Sequence, residues 1–336
     1  MNIFKIINIA GKVLAYNLFN KAIPVSATLS VTDRCNSKCT YCGFSIRNTR
    51  ELSLAEIKSV IDVLCNLGVE RLGLWGGEPL IREDIGDIVN YCKTKKLHVT
   101  MVTNGHLIGK KLDVIKKTDD VIVSFDGLEK YHDLNRGKNS YTKTIAAMKL
   151  LADNKIKFFT ITVLTKNNIS TENIDYILEL SKQYNFFTTF QILHHNEILS
   201  SDYKNILPSH DEYIEVLKYI HGKKKINKNI ASSNMYFDHL LKWENLHKVC
   251  VPENSKKIKC LAGKVYLNID TDGYVYPCSI LIGQMQGVKY DSENLLQKIQ
   301  KNKINCGDCV CGCYVEYNKL FSFNIATSYQ WFKNLI

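Results

Sequence analysis

Cys35, Cys39 and Cys42 fall in one Cys-x3-Cys-x2-Cys run of a 336-residue chain that holds 12 cysteines. Thiolates are the form in which cysteine binds metal. Three of them cannot complete a four-iron cluster, in which each iron takes a terminal ligand, so one iron keeps an open position for chemistry. A zinc knuckle with a distant fourth ligand is the competing reading of three loop cysteines. A second constellation lies near the C-terminus: Cys260, then Gly273-x4-Cys278, then Cys306, Cys309, Cys311 and Cys313. Its spacing suits a zinc ribbon and an iron–sulfur cluster equally. Cys65 and Cys92 fall on apolar helix faces and read as small hydrophobes. Cys250 is near enough to Cys260 to stand as an extra ligand candidate.

These cysteines need elements to position them. From residue 25, β-branched runs alternate with helical patterns. Strands are expected at 26–31, 71–75, 98–103, 120–124, 157–164 and 188–193, and helices at 53–67, 84–95, 110–117, 141–154 and 172–184. Ser53 and Glu56, like Ser209 and Glu212, have capping-box spacing. This alternation argues for a parallel sheet with right-handed crossovers. Six such units make an α/β partial barrel rather than a closed eight-fold one. The first cysteine run leaves the C-terminal end of the first strand, where α/β folds bind ligands. A helix starting at Ser209 and another over 232–248 follow, then a hairpin turning at Asp270-Thr271-Asp272-Gly273. The expected division is an N-terminal amphipathic segment 1–24, a barrel core 25–195, a helical connector 196–255 and a cluster domain with an aromatic tail 256–336.

Composition narrows the setting. The 45% hydrophobic and 23% charged shares exclude wholesale disorder. No signal-peptide pattern and no run long enough to span a membrane is present. A reducing cytoplasm is therefore expected, where cysteines serve metal or redox chemistry rather than disulfides. The formal charge of +11 is spread over many lysines, which reads as solvated surface, and no nucleic-acid partner is expected.

The first cysteine run, with Tyr41 before its last member, resembles the signature of the radical S-adenosylmethionine (radical SAM) superfamily. Trp75-Gly76-Gly77-Glu78-Pro79 at the end of the second strand resembles that family's Gly-Gly-Glu-Pro motif. Thr103-Asn104-Gly105 and Ser124-Phe125-Asp126-Gly127 resemble its strand-end motifs, and His132-Asp133 and Arg136-Gly137 occur in many relatives. The resemblance implies a partial (β/α)6 barrel of the radical SAM type. It implies Cys35, Cys39 and Cys42 on a 4Fe-4S cluster, with S-adenosylmethionine held by Tyr41, Gly76, Gly77, Glu78, Asn104 and Ser124. Paired glycines suit close backbone approach to a ligand, and Glu78 suits an ammonium. The implied reaction is reductive cleavage to methionine and a 5′-deoxyadenosyl radical, which takes a hydrogen atom from the substrate. Asp126, Gln191 and His194, with His195 beside it, are the expected substrate residues.

The second constellation resembles a SPASM/twitch extension, although its spacing is compressed and no cysteine follows Cys313. The resemblance implies one auxiliary 4Fe-4S cluster on Cys260, Cys278 and two or three of Cys306, Cys309 and Cys313, with Cys311 left out. The expected partners are an electron donor such as flavodoxin or ferredoxin and a substrate from peptide maturation or cofactor or natural-product biosynthesis. Residues 1–24 leave no room for a leader-recognition domain, so a peptide is expected to be held by the auxiliary region or a partner. The amphipathic N-terminus and aromatic C-terminus suit peripheral association at the inner membrane face, which makes a lipid or isoprenoid the alternative substrate. The non-enzyme alternative is an iron–sulfur electron-transfer or binding module, which has no need of the Glu78 motif.

Overall fold

Strands that are apolar on one side and helices that are apolar on one stripe must bury those sides against each other. A computed structural model, described over residues 3–193, 201–251, 260–302 and 306–322, shows how they do so. Six parallel strands carry the core: β1 (Ser26–Thr32), β2 (Arg71–Gly76), β3 (His98–Thr103), β4 (Asp120–Ser124), β5 (Phe158–Leu164) and β6 (Phe187–Ile192). Each lies within a residue of its expected bounds. Between them run α2 (Leu54–Leu67), α3 (Ile85–Thr94), the short α4 (Leu112–Ile115), α5 (Glu129–Arg136), α6 (Ser140–Asp153) and α7 (Thr171–Gln183). This is the expected α/β partial barrel.

Alternation along the strands sorts its two faces. Leu29, Leu74, Val99, Met101, Val121 and Val123 are fully buried against the helices. The alternate positions Thr28, Trp75, Thr100, Ile122, Ser124, Ile161 and Thr189 are half-buried along the inner face. At the N-terminal end of that face Asp120 pairs with Arg71 at 3.6 Å and with His98 at 2.6 Å.

Preceding the barrel is α1 (Ile3–Phe19), which buries Ile9, Val13 and Tyr16 and leaves Ile7, Leu14, Leu18 and Phe19 exposed. Lys12 anchors it to the Gly68 carbonyl at 2.8 Å and to Glu70 at 2.5 Å. After the barrel come α8 (His210–Lys224) and α9 (Asn234–Leu241), then β7 (Cys250–Val251), β8 (Tyr266–Ile269), β9 (Tyr274–Tyr276), β10 (Val288–Lys289), α10 (Leu295–Lys301), β11 (Asp308–Cys309) and α11 (Gly312–Phe321). Strand β8 runs parallel to β1, so the hairpin extends the barrel's own sheet in the order β10-β9-β8-β1-β2-β3-β4-β5-β6. Strands β7 and β11 pair apart from it.

Both capping boxes form, with Ser53 and Ser209 as N-caps. The helix expected over 232–248 stops at Leu241, because Trp243 Nε1 donates to the Lys248 carbonyl at 3.0 Å and folds the segment into a turn. The helix expected over 110–117 shrinks to α4 behind a single 3-10 turn. Helix α5 has no sequence signal, because its buried face is His132, Asn135 and Arg136 and shows no hydrophobic period.

Candidate iron–sulfur and cofactor site

The loop that leaves β1 has no ladder of its own, so side chains must fix it. Asn104, at the end of β3, donates through Nδ2 to Asn36 Oδ1 at 2.7 Å and Ser37 Oγ at 3.1 Å, and faces Cys35 Sγ at 4.0 Å. The Ser37 amide points at the same sulfur from 3.4 Å. The Cys42 amide donates to the Cys39 carbonyl at 3.1 Å, which closes a turn between the two cysteines. On the far side Thr40 donates to the Asn135 carbonyl at 2.9 Å and joins the loop to α5.

Beneath the loop lies a buried ion pair. Arg136 Nε and Nη2 donate to the two oxygens of Asp126 at 2.8 and 3.2 Å. The Tyr41 hydroxyl and Asn135 Nδ2 each donate to Asp126 Oδ2 at 3.3 Å, and the Val163 amide donates to Oδ1 at 3.2 Å. The guanidinium also lies 5.7 Å from the centre of the Tyr41 ring. Asp126 is wholly buried with both oxygens occupied. It was expected to face the substrate; it instead holds the cysteine loop to β5 and α5.

Burial pushes all three thiols up, Cys35 to about 11 and Cys42 to about 12, and the charge on Cys39 adds to both. Arg136 partly opposes this. Only a cationic group seated among them would hold three thiolates together here. The donor set fits a 4Fe-4S cluster: three sulfurs on one loop, an amide and an asparagine N–H on Cys35, and a guanidinium beside Cys39. Among the described residues no three Cys, His, Asp or Glu side chains close on one point as a single metal ion needs. The ligands of a four-iron cluster bind separate irons and need not do so.

The Gly-Gly-Glu motif is built into the strand ends beside the cysteine loop. Glu78 is fully buried and accepts from Thr103 Oγ1 at 2.8 Å, the Asn104 amide at 2.7 Å and the Leu80 amide at 3.1 Å. Burial raises it to about 7, against those three bonds. Its carboxylate pins the strand end that carries Asn104. The glycines do allow a close approach, but to the cysteine loop itself. A Cβ on Gly77 would lie 2.3 Å from the Arg34 carbonyl oxygen, and one on Gly76, at φ +130, 2.4 Å from that of Thr32. Ser124 ends β4 on the inner face, half-buried.

Gln191 does not stand free at the barrel mouth. Its Oε1 accepts from the Gly312 amide at 3.1 Å and its Nε2 lies 3.9 Å from Cys313 Sγ, so it joins β6 to the second cysteine group. His194 and His195 lie outside the described residues.

In the second group, burial raises the Cys278 and Cys309 thiols. Cys260 and Cys306 add to Cys278, and Cys311, Cys260 and Cys278 add to Cys309. Cys311 is buried and receives the same influence from Cys313 and Cys278. Cys313 is exposed. Cys250 sits across the β7–β11 pair from Cys309. Two buried donors here have no partner among the described residues, Asn318 Nδ2 and the Tyr236 hydroxyl. Asn318 Oδ1 accepts from the Leu261 amide at 2.9 Å and the Tyr266 hydroxyl at 3.1 Å, which fixes which end of the amide is the nitrogen. Buried unpaired donors are costly. The Tyr266 hydroxyl is 3.9 Å from Cys260 Sγ, so a sulfur-rich group among these cysteines fits the orphaned donors.

Residues 29–180 match the Radical SAM superfamily profile. An uncharacterized protein of Methanocaldococcus jannaschii is 35% identical over 153 residues, 42% of this chain and 53% of that protein. The mycofactocin maturase MftC of Mycolicibacterium smegmatis is 26% identical over 271 residues, 77% of this chain and 65% of that protein. The chain thus spans between about half and two thirds of these relatives. Among solved structures, SuiB of Streptococcus suis bound to S-adenosylmethionine superposes with a TM-score of 0.67 at 18% identity, covering 86% of this chain and 68% of that one. It shares the fold.

Asp126→Asn leaves the Arg136 charge buried without its counter-ion. It is expected to lower stability by about 3–5 kcal/mol in urea titration and to reduce the iron bound after reconstitution. His132 accepts the Asp126 amide at Nδ1, 3.1 Å away, and burial holds it neutral down to about 2. The unfolded chain takes up that proton near pH 6.5. Acid below about 6.5 therefore favours unfolding, and His132→Gln is expected to flatten the fall in melting temperature between about pH 6.5 and 4.

Proposed function

Because residues 29–180 of this chain belong to the radical SAM superfamily, we propose an enzyme that cleaves S-adenosylmethionine and abstracts hydrogen from a substrate held in the half-open barrel. The observation that carries this is the cysteine loop, locked by Asn104, Asp126 and Arg136 at the C-terminal ends of the parallel strands. When bound and reduced, the cluster would supply the electron that splits the cofactor into methionine and a 5′-deoxyadenosyl radical. The chain's own residues bind and orient. Cys35, Cys39 and Cys42 present three thiolates, and the Ser37 and Asn104 N–H groups support Cys35. Glu78 and the paired glycines hold β2 and β3 against that loop. Trp75, Ile122, Ser124, Ile161 and Thr189 line the inner face where a substrate would lie.

A role in peptide or cofactor maturation is supported by the likeness to MftC, which spans 77% of this chain. A lipid or isoprenoid substrate is the second reading, favoured by the exposed Ile7, Leu14, Leu18 and Phe19 on α1; no described helix is long and apolar enough to cross a membrane. For the auxiliary group we propose one 4Fe-4S cluster on the buried set Cys260, Cys278 and Cys309, completed by Cys306 or Cys311 and not by Cys313.

The test is anaerobic reconstitution, reduction with dithionite, addition of S-adenosylmethionine and chromatography for 5′-deoxyadenosine. Product is expected, and is expected to vanish when Cys35, Cys39 and Cys42 are all changed to Ala. Product that persists in that variant would sink the reading, as would none from the parent. The same variant is expected to retain about four irons per chain; zinc in place of iron would refute the auxiliary cluster. On that background Cys313→Ser is expected to keep its iron and Cys278→Ser to lose it.

A further inference from the structure

We propose that Asn318 and Tyr236 donate hydrogen bonds to sulfur of the auxiliary 4Fe-4S cluster and thereby raise its reduction potential. The inference rests on the reading of Cys260, Cys278 and Cys309, with Cys306 or Cys311, as the ligands of that cluster.

Asn318 is fully buried on α11. Its Oδ1 accepts from the Leu261 amide at 2.9 Å and the Tyr266 hydroxyl at 3.1 Å, which fixes the orientation of the side chain. Both N–H groups of Nδ2 are then left without a partner among the described residues. The two contacts stand beside a proposed ligand. Leu261 follows Cys260 in the chain, and the Tyr266 hydroxyl is 3.9 Å from Cys260 Sγ. The same helix face reaches two further candidates. Cys311, Tyr314 and Asn318 recur at helical spacing, and the Tyr314 hydroxyl accepts the amide of Ser279, next to Cys278, at 2.7 Å.

Tyr236, on α9, is fully buried too, and its hydroxyl has no partner among the described residues. Burial raises it, and Cys311, Glu316, Cys313 and Cys309 push the same way, so the hydroxyl belongs to the Cys309–Cys311 end of the group. Glu316 does not take that donor: its Oε1 accepts the Ser233 amide at 2.7 Å, and its Oε2 has no partner among the described residues. A buried donor without an acceptor is costly, and here two of them flank one set of thiols from opposite ends. Cluster sulfurs are acceptors, and they carry more negative charge once the cluster is reduced. Donors aimed at them therefore favour the reduced form and raise the potential. Reduction adds one electron to the cluster and moves no proton, so both donors stay protonated throughout.

The test uses the full chain with Cys35, Cys39 and Cys42 changed to Ala, reconstituted anaerobically so that the auxiliary cluster is measured alone. Its potential is read by reductive titration with dithionite, followed by EPR. On this parent, Tyr236→Phe removes one oxygen, and Asn318→Leu removes both N–H groups without adding charge. Asn318→Asp keeps an acceptor for Leu261 and Tyr266 and decides the matter where Asn318→Leu does not fold. Each variant is expected to hold the parent's iron and to lower the potential by about 59 mV, a tenfold change in a one-electron equilibrium. The parent potential in Tyr236→Phe, or in an Asn318 variant that holds its iron, overturns the assignment of that donor. A lower melting temperature at the parent potential does the same, since it makes the side chain merely structural. No iron in the parent, or zinc in its place, overturns instead the cluster reading beneath the proposal.

Discussion

The buried pair between Asp126 and Arg136 is the constraint on which the rest of the site depends. Removing two charges from water is expensive, and their attraction repays it only when geometry and further hydrogen bonds are good. Here a guanidinium fork meets both carboxylate oxygens, and Tyr41, Asn135 and Val163 supply three more donors to them. The pair gathers the end of β4, the end of α5, an edge of β5 and the ring of Tyr41 into one unit. That ring belongs to the cysteine loop, so Cys39 and Cys42 are held by an interaction made at the end of β4, three strands along the sheet from β1. His132 completes the arrangement from behind, as an acceptor for the Asp126 amide that must stay neutral to serve.

A second set of contacts makes the two cysteine groups parts of one body. Arg47, just past the first group, donates to Asp270 at 2.6 Å and pairs with Asp33 at 3.5 Å. Thr271 donates to Asp33 at 2.7 Å. Asp270 and Thr271 form the turn of the hairpin whose strands begin and end near Cys260 and Cys278. On the opposite edge Gln191 grips the start of α11 through Gly312. With β8 hydrogen-bonded to β1 as well, the second group is built onto the barrel at both edges of its open side. Where a cofactor carries the chemistry, the protein's share is to hold its parts in register.

How much of this the residues announced depends on whether the deciding interaction was local. The six strands were legible because β-branched runs are, and the caps at Ser53 and Ser209 because a capping box spans four residues. The run Cys35, Cys39 and Cys42 stands out by its spacing, and its reading as a ligand set comes from the resemblance. Helix α5 was not, since it buries a histidine, an asparagine and an arginine in place of an apolar stripe. Asp126 and Glu78 read as ligand-facing through the resemblance of their strand-end motifs to the family's. Which way each turns was settled by residues far off in sequence, Arg136 for one and Thr103 with Asn104 for the other.

Cys311 and Cys313 show the same limit at its smallest scale. The resemblance to a SPASM/twitch extension leaves Cys311 out and takes Cys313. Cys311 is the N-cap of α11 and Cys313 lies inside its first turn. Cys311, still in extended backbone, is buried beside Cys278 and Cys309, whereas Cys313 is exposed. The helix that decides this begins between the two cysteines, and its register is set by Tyr314, Val315 and Asn318, which are buried against the hairpin. Tyr314 stacks on Tyr266 with ring centres 5.0 Å apart, and Asn318 holds the Leu261 amide and the Tyr266 hydroxyl. The burial of Cys311 and the exposure of Cys313 are thus consequences of packing on the far side of the cysteines.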